Sequence, residues 1–181
     1  MSQSAAFIEL GRGPLLLAVV LGLATNANTD DRRAAEPTPE EAGHALVLEL
    51  GPAGDWSPRE RLHLGGTFAL EVTAIEHWLE LECGLTVLHA DGGAELTFDV
   101  LFKRPWRVSS QIEFMVGVGP QIVRRGGQRG GTFGGLAAVA DLMVWPRKNV
   151  GWYVEPGYEV TFRRGDRQSA LGIAAGLLIG R

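Results

Sequence analysis

Apolar and polar residues alternate along most of the chain from about residue 44 onward, the period-two pattern of β-strands whose two faces meet different surroundings. Between Trp152 and Arg163, for example, Val160 and Phe162 fall on a largely apolar set of alternate positions. Glu155 belongs to the other set, which is mostly polar or small. The alternation therefore predicts strands with one apolar and one polar face.

The same pattern recurs in every stretch between turn-forming residues and predicts about eight strands. The predicted strands lie near residues 44–51, 66–75, 78–88, 95–103, 108–122, 132–144, 152–163 and 169–180. Eight antiparallel strands with alternating faces predict an all-β fold, an eight-stranded antiparallel up-and-down β-barrel. A barrel of this size is just wide enough to be filled by its own side chains, so no wide pore is expected.

The predicted polar face is strongly acidic, whereas the apolar face carries no charge. The acids on the polar face are Glu49, Glu71, Glu80, Glu82, Asp99, Glu113, Asp141, Glu155 and Glu159. The basic residues of that face, Lys103 and Arg163, fall near predicted strand ends. Because a water-facing surface normally mixes both signs, we favour a barrel with its polar face inside and its apolar face toward lipid. A soluble exported barrel that encloses an apolar ligand shows the same alternation and is the alternative.

Composition limits the classes of function. The chain has 181 residues, 45% of them hydrophobic and 21% charged, as expected for one folded domain. A formal net charge of -4 gives no drive toward nucleic acid. The single cysteine, Cys83, excludes an internal disulfide and a multi-cysteine metal site.

The N-terminal region differs from the rest of the chain. Residues 14–24 form an apolar run with the length of a signal-peptide core, too short to span a bilayer as a helix. We expect a signal peptide over residues 1–27, a polar and flexible lead-in over 28–42, and the barrel domain over 43–181.

Residues 149–158 and 172–180, within a strand pattern that covers about 43–180, resemble two groups of bacterial barrels. One comprises the small eight-stranded outer-membrane β-barrels of Gram-negative bacteria, and the other is a set of uncharacterised exported barrel proteins. The resemblance implies an outer-membrane location, short periplasmic turns, longer outward loops and a belt of interfacial aromatic residues. It implies no enzymatic activity. If the apolar face were inside, the expected location would be the periplasm.

The two ends of the predicted barrel differ in chemistry. Four tryptophans lie in or beside the short turns and are candidates for an interfacial girdle: Trp78, Trp106, Trp145 and Trp152. The other connections are rich in glycine and carry arginines suited to phosphate contacts: Arg124, Arg125, Arg129, Arg164 and Arg167. These arginines are candidates for binding lipopolysaccharide phosphates, and a merely solvated basic rim is the alternative.

The interior acids are a second candidate site. Carboxylates with few basic partners cannot all stay ionised at low dielectric, so they must share protons or bind a cation. The candidates for such a site are Glu82, Asp99, Glu113, Asp141 and Glu155. Alternatively, loop arginines, water in the lumen and shared protons satisfy them without a functional site.

Signatures of catalysis are weak. The chain has no Gly-x-Ser-x-Gly, no metal-ligand spacing and no phosphate-binding loop, and its four histidines are scattered. We therefore predict no enzyme, no cofactor and no metal centre, with a lipid hydrolase at the membrane edge as the catalytic alternative. The predicted function is that of a monomeric outer-membrane barrel with a structural, interaction or narrow-transport role.

Overall fold

The computed structural model describes residues 46–57, 62–90, 93–127, 130–163 and 165–180. The strands are β1 Leu46–Trp56, β2 His63–Ile75, β3 Leu79–Ala90, β4 Gly93–Arg107, β5 Ile112–Arg125, β6 Gly131–Arg147, β7 Val150–Arg163 and β8 Asp166–Gly180. Each strand pairs with the next in antiparallel fashion, and β8 pairs with β1 to close the barrel. This confirms the predicted all-β, eight-stranded up-and-down barrel. The expected signal peptide and lead-in lie outside the described residues.

Within the described ranges, no helix is long and apolar enough to cross a membrane. The connections between strands define the two ends of the barrel. We call the end with residues 76–78, 108–111 and 148–149 the turn end, and the end with residues 57–62, 91–92, 126–130 and 164–165 the loop end.

The strands β1 and β2 extend further toward the loop end than expected from the sequence. Gly51 and Gly65 look like turn residues, but both lie within paired strands. A Cβ atom at Gly65 would lie 1.8 Å from the carbonyl oxygen of Val87, and one at Gly51 would lie 2.0 Å from that of Ala175. These glycines therefore permit a close approach of neighbouring backbones. In the sequence alone, a glycine that serves this purpose cannot be distinguished from a glycine in a turn.

The apolar face lies outside and the polar face lies inside. One large outward side chain from each strand, in chain order, shows this: Leu50, Phe68, Leu85, Phe98, Val118, Leu136, Tyr158 and Leu177, all between 40% and 59% exposed. In contrast, Glu49, Glu71 and Asp141 are buried in the lumen. The alternative of a barrel with an apolar ligand cavity is therefore wrong, because the interior is charged.

An apolar layer packs across the lumen near the turn end. Its buried members are Val47, Met115, Met143, Trp145, Tyr153 and Leu178. On β1, β6 and β7 they lie two or four residues nearer the turn end than the central charged residue, as Val47 does relative to Glu49 and Tyr153 relative to Glu155. Along these three strands, the lining of the lumen therefore changes from apolar near the turn end to charged at its centre.

Candidate functional site

The centre of the lumen is occupied by the side chain of Lys103. This residue points inward from β4 and is 0% exposed. Its register neighbours are Glu80 on β3 and Gly117 on β5. A Cβ atom at Gly117 would lie 2.7 Å from Cγ of Lys103, so the glycine leaves room for the lysine stem.

Five carboxylates from five different strands surround the Lys103 ammonium group. The nitrogen Nζ lies 2.7 Å from Glu155, 3.1 Å from Asp141, 3.5 Å from Glu71 and 3.9 Å from Glu49, and is in closest contact with Glu82. We call these six residues the Lys103 cluster. It joins β4 to β1, β2, β3, β6 and β7 across the lumen.

Three of the five predicted interior carboxylates, Glu82, Asp141 and Glu155, belong to the Lys103 cluster. Asp99 and Glu113 are only half-buried, and neither is an ion-pair partner of Lys103 in the described part of the chain. Asp99 lines a cavity on the loop side of the cluster. Glu113 lies near the turn end, opposite Arg107 in the register.

Sequence reasoning missed the central role of Lys103 and the membership of Glu49 and Glu71. The predicted β4 ended at residue 103, which placed the lysine at a rim, whereas the strand continues to Arg107. The sequence did contain a signal for this role, because Lys103 is a charged residue at an inward-facing position of the apolar and polar alternation. A buried lysine needs carboxylate partners, and inward acids were already recognised on the neighbouring strands.

A cavity of about 70 Å³ extends from the Lys103 cluster toward the loop end. Its polar lining includes Asp55, Glu82, Asp99, Gln121, Glu155 and Glu159. Space of this size holds on the order of five water molecules. The charged cluster and the apolar layer lie between this cavity and the turn end.

A histidine and an aspartate form a second buried pair near the loop end. Asp55 and His63 are opposite each other in the register of β1 and β2, and Nδ1 of His63 lies 2.9 Å from Oδ1 of Asp55. A carboxylate can orient an imidazole in this way. Among the described residues, no hydrogen bond joins His63 to a serine.

The five predicted anion-binding arginines divide into three groups. Arg125 points into the barrel, where Nε contacts Glu95 and Nη1 donates a hydrogen bond to Oε1 of Gln168 at 3.0 Å. The prediction that Arg125 is a loop anion contact is therefore wrong, because its donors serve internal partners. Arg124 and Arg167 are exposed at the loop end, whereas Arg129 and Arg164 lie outside the described residues.

Three of the four tryptophans predicted to form an interfacial girdle are exposed near the turn end. Trp78, Trp106 and Trp152 are 44% to 54% exposed, and the Arg104 guanidinium lies 5.4 Å from the Trp78 ring centroid. Trp145 is only 8% exposed and belongs to the inner apolar layer, so its assignment to the girdle is wrong. The physical reason is that alternate residues of a strand face the same side, and Trp145 lies on the same side of β6 as the inward Asp141 and Met143.

The fold is that of the small eight-stranded β-barrels of bacterial outer membranes. Among solved structures, the chain is similar to Neisserial surface protein A, with a TM-score of 0.60, 11% sequence identity, and coverage of 75% of this chain and 96% of that one. It is also similar to a de novo designed transmembrane β-barrel, with a TM-score of 0.52, 12% identity, and coverage of 77% and 98%.

A third similar structure is the N-terminal barrel domain of Pseudomonas aeruginosa OprF, with a TM-score of 0.48, 12% identity, and coverage of 74% of this chain and 97% of that one. No protein-family model matches the chain, and no curated protein sequence matches it. At such low identity, these similarities define the fold only.

Proposed function

We propose that this chain is a lipid-facing barrel of the outer membrane, present as a monomer, with a structural or interaction role and no catalytic activity. The observation that carries the proposal is the apolar outer face, which extends over all eight strands. An apolar surface that encircles a protein far exceeds the patches of a few hundred Å² tolerated in water. A bilayer accommodates it, because a closed barrel satisfies its backbone hydrogen bonds internally.

Strand lengths support the same proposal. A transmembrane β-strand needs about 9–11 residues when tilted. The shortest strand, β1, has 11 residues and the longest, β6, has 17. Every strand is therefore long enough to cross the hydrocarbon layer.

The proposed orientation places the turn end toward the periplasm. The first residue of β1, Leu46, and the last of β8, Gly180, both lie at the turn end, as the pairing of Val47 with Gly180 requires. A chain that inserts from the periplasm keeps both ends on that side, and its periplasmic turns are short. The loop end then faces the cell exterior.

The interior favours a structural or interaction role over transport. A charged cluster lies across the lumen, and an apolar layer packs between that cluster and the turn end. Solutes would have to break several buried ion pairs to pass. Contacts made by the outer surface and the two ends are therefore the proposed basis of function.

Fractionation of cells that express the full-length chain tests this proposal. We expect recovery in the outer-membrane fraction, extraction only with detergent, and a gel mobility that changes on heating because the folded barrel resists unfolding at room temperature. In planar bilayers, the purified protein should produce no conductance steps of a wide pore. Recovery as a soluble periplasmic protein with no heat-dependent mobility would contradict the proposal.

The exposed arginines of the loop end suggest a lipid partner. We propose that Arg124 and Arg167 contact phosphates of lipopolysaccharide, whose charge and oxygen geometry suit the guanidinium group. Replacing both with glutamine should weaken lipopolysaccharide binding in detergent micelles by about three- to tenfold, with a smaller effect at high salt.

The matched control changes two exposed arginines of the turn end, Arg107→Gln with Arg147→Gln, and removes the same charge from the other rim. We expect this variant to bind lipopolysaccharide as the wild type does. Equal weakening in both variants would mean that only net charge matters, and unchanged binding in the first variant would remove these arginines from the interaction.

A further inference from the structure

The Lys103 ammonium group cannot serve all five carboxylates of its cluster. An ammonium has three N–H donors. Its three shortest contacts are with Glu82, Glu155 and Asp141, whereas Glu71 and Glu49 stand at 3.5 and 3.9 Å. The two carboxylates on β1 and β2 are therefore left with the longest ion-pair contacts to the lysine and no short hydrogen bond from it.

Oxygens of these two glutamates lie close to an oxygen of Glu82. Oε1 of Glu49 and Oε2 of Glu71 are buried without a hydrogen-bond partner in the described structure. Together with an oxygen of Glu82, their ligand atoms all lie within 4.8 Å of one another. A cation at about 2.3–2.6 Å from each oxygen could therefore contact all three carboxylates.

A second buried group, which faces the Lys103 cluster, also lacks a hydrogen-bond partner. The hydroxyl of Tyr153, a residue only 1% exposed, has no hydrogen-bond partner in the described structure. Its electrostatic neighbours are Glu49, Glu155, Asp141 and Glu82, so it faces the Lys103 cluster. Buried polar groups normally have a hydrogen-bond partner, and a hydrated cation beside the carboxylates would supply one for this hydroxyl.

We propose that Glu49, Glu71 and Glu82 bind a divalent cation beside Lys103, with Ca²⁺ as the best fit. The ligands are all oxygen atoms, which selects a hard cation, and Ca²⁺ accepts an irregular set of oxygen ligands more readily than Mg²⁺, which demands a nearly ideal octahedron. Charge supports this assignment, because five carboxylates outnumber the single ammonium. Glu82 also lines the cavity, where water could complete the coordination of the ion.

The test uses full-length protein folded in a zwitterionic detergent without lipopolysaccharide, treated with EDTA, and then equilibrated with CaCl₂, MgCl₂ or KCl at equal ionic strength. Metal analysis after gel filtration should find about one Ca²⁺ per chain in the wild type. A saturating concentration of Ca²⁺ should raise the apparent melting temperature by about 5 °C or more relative to KCl.

Glu71→Gln and Glu49→Gln should each lose the bound Ca²⁺ and the shift in melting temperature. The matched control is Glu159→Gln. It removes another lumen carboxylate that, among the described residues, is not an ion-pair partner of Lys103, and it should retain the bound Ca²⁺ and the shift in melting temperature. Absence of bound Ca²⁺ in the wild type would overturn the proposal and assign protons to the excess carboxylates. Equal Ca²⁺ binding by Glu71→Gln and the wild type would also overturn it and point to a surface site.

Discussion

Replacing Lys103 with methionine should destabilise the barrel by about 3–5 kcal/mol, the cost typical of removing one partner from a buried ion network. Methionine has a similar length and fills the space beside Gly117, so the loss is mainly one of charge. The variant leaves five carboxylates close together at the centre of the lumen without their shared ammonium. Urea titration of the protein in detergent micelles, followed by tryptophan fluorescence, measures the effect.

Two comparisons make the Lys103 prediction specific. Lys148→Met removes a positive charge from an exposed turn residue and should change the free energy of unfolding by less than about 0.5 kcal/mol. Adding Glu82→Gln and Glu155→Gln to Lys103→Met should recover much of the lost stability, because it removes the closest unpaired charges. A Lys103→Met barrel as stable as the wild type would show that the carboxylates do not depend on the ammonium. If the triple variant is no more stable than Lys103→Met, repulsion between the unpaired carboxylates is not the cause of the lost stability, which would also contradict the prediction.

Strand number and facing could be predicted from the sequence because side chains alternate with a period of two along a strand. Once Leu142 and Val144 are assigned to the outer face, Asp141 must point inward, and the structure agrees. The same rule places Trp145 inside. Its assignment to the girdle failed because proximity to a turn was given more weight than parity.

The Lys103 cluster depended on information that a single sequence does not contain. Whether Lys103 lies level with Glu49 or Glu155 depends on the stagger of strands around the barrel, and alternation says nothing about stagger. Local pairing shows the difficulty, since Lys103 pairs in register with Glu80, yet its closest contact is with Glu82. The acidic lining was predictable, but its arrangement around one lysine was not.

The positions of the arginines near the loop end were also only partly predictable. Arg125 and Arg124 are adjacent in sequence and equally basic, yet one points inward to Glu95 and the other is exposed. The predicted β5 ended at residue 122, which placed both in a loop. The strand in fact continues to Arg125, so parity separates the two arginines.

An arginine placed on the outer face should have an effect that depends on its depth in the bilayer. Leu70 lies in the middle of β2, between Leu48 and Cys83 on the neighbouring strands, and is 40% exposed. Leu64 lies on the same strand and the same face near the loop end and is 61% exposed. Replacing each of these two leucines with arginine therefore compares the same substitution at two depths in the bilayer.

The most direct test of a lipid-facing barrel is the free energy of unfolding of Leu70→Arg and Leu64→Arg in phospholipid vesicles. We expect Leu70→Arg to cost about 2–4 kcal/mol and Leu64→Arg about 0–1 kcal/mol, because the penalty for arginine falls from the bilayer midplane to its interface. Small and equal costs at the two positions would mean that the outer face of the barrel meets water, and would contradict the proposal that this face contacts lipid.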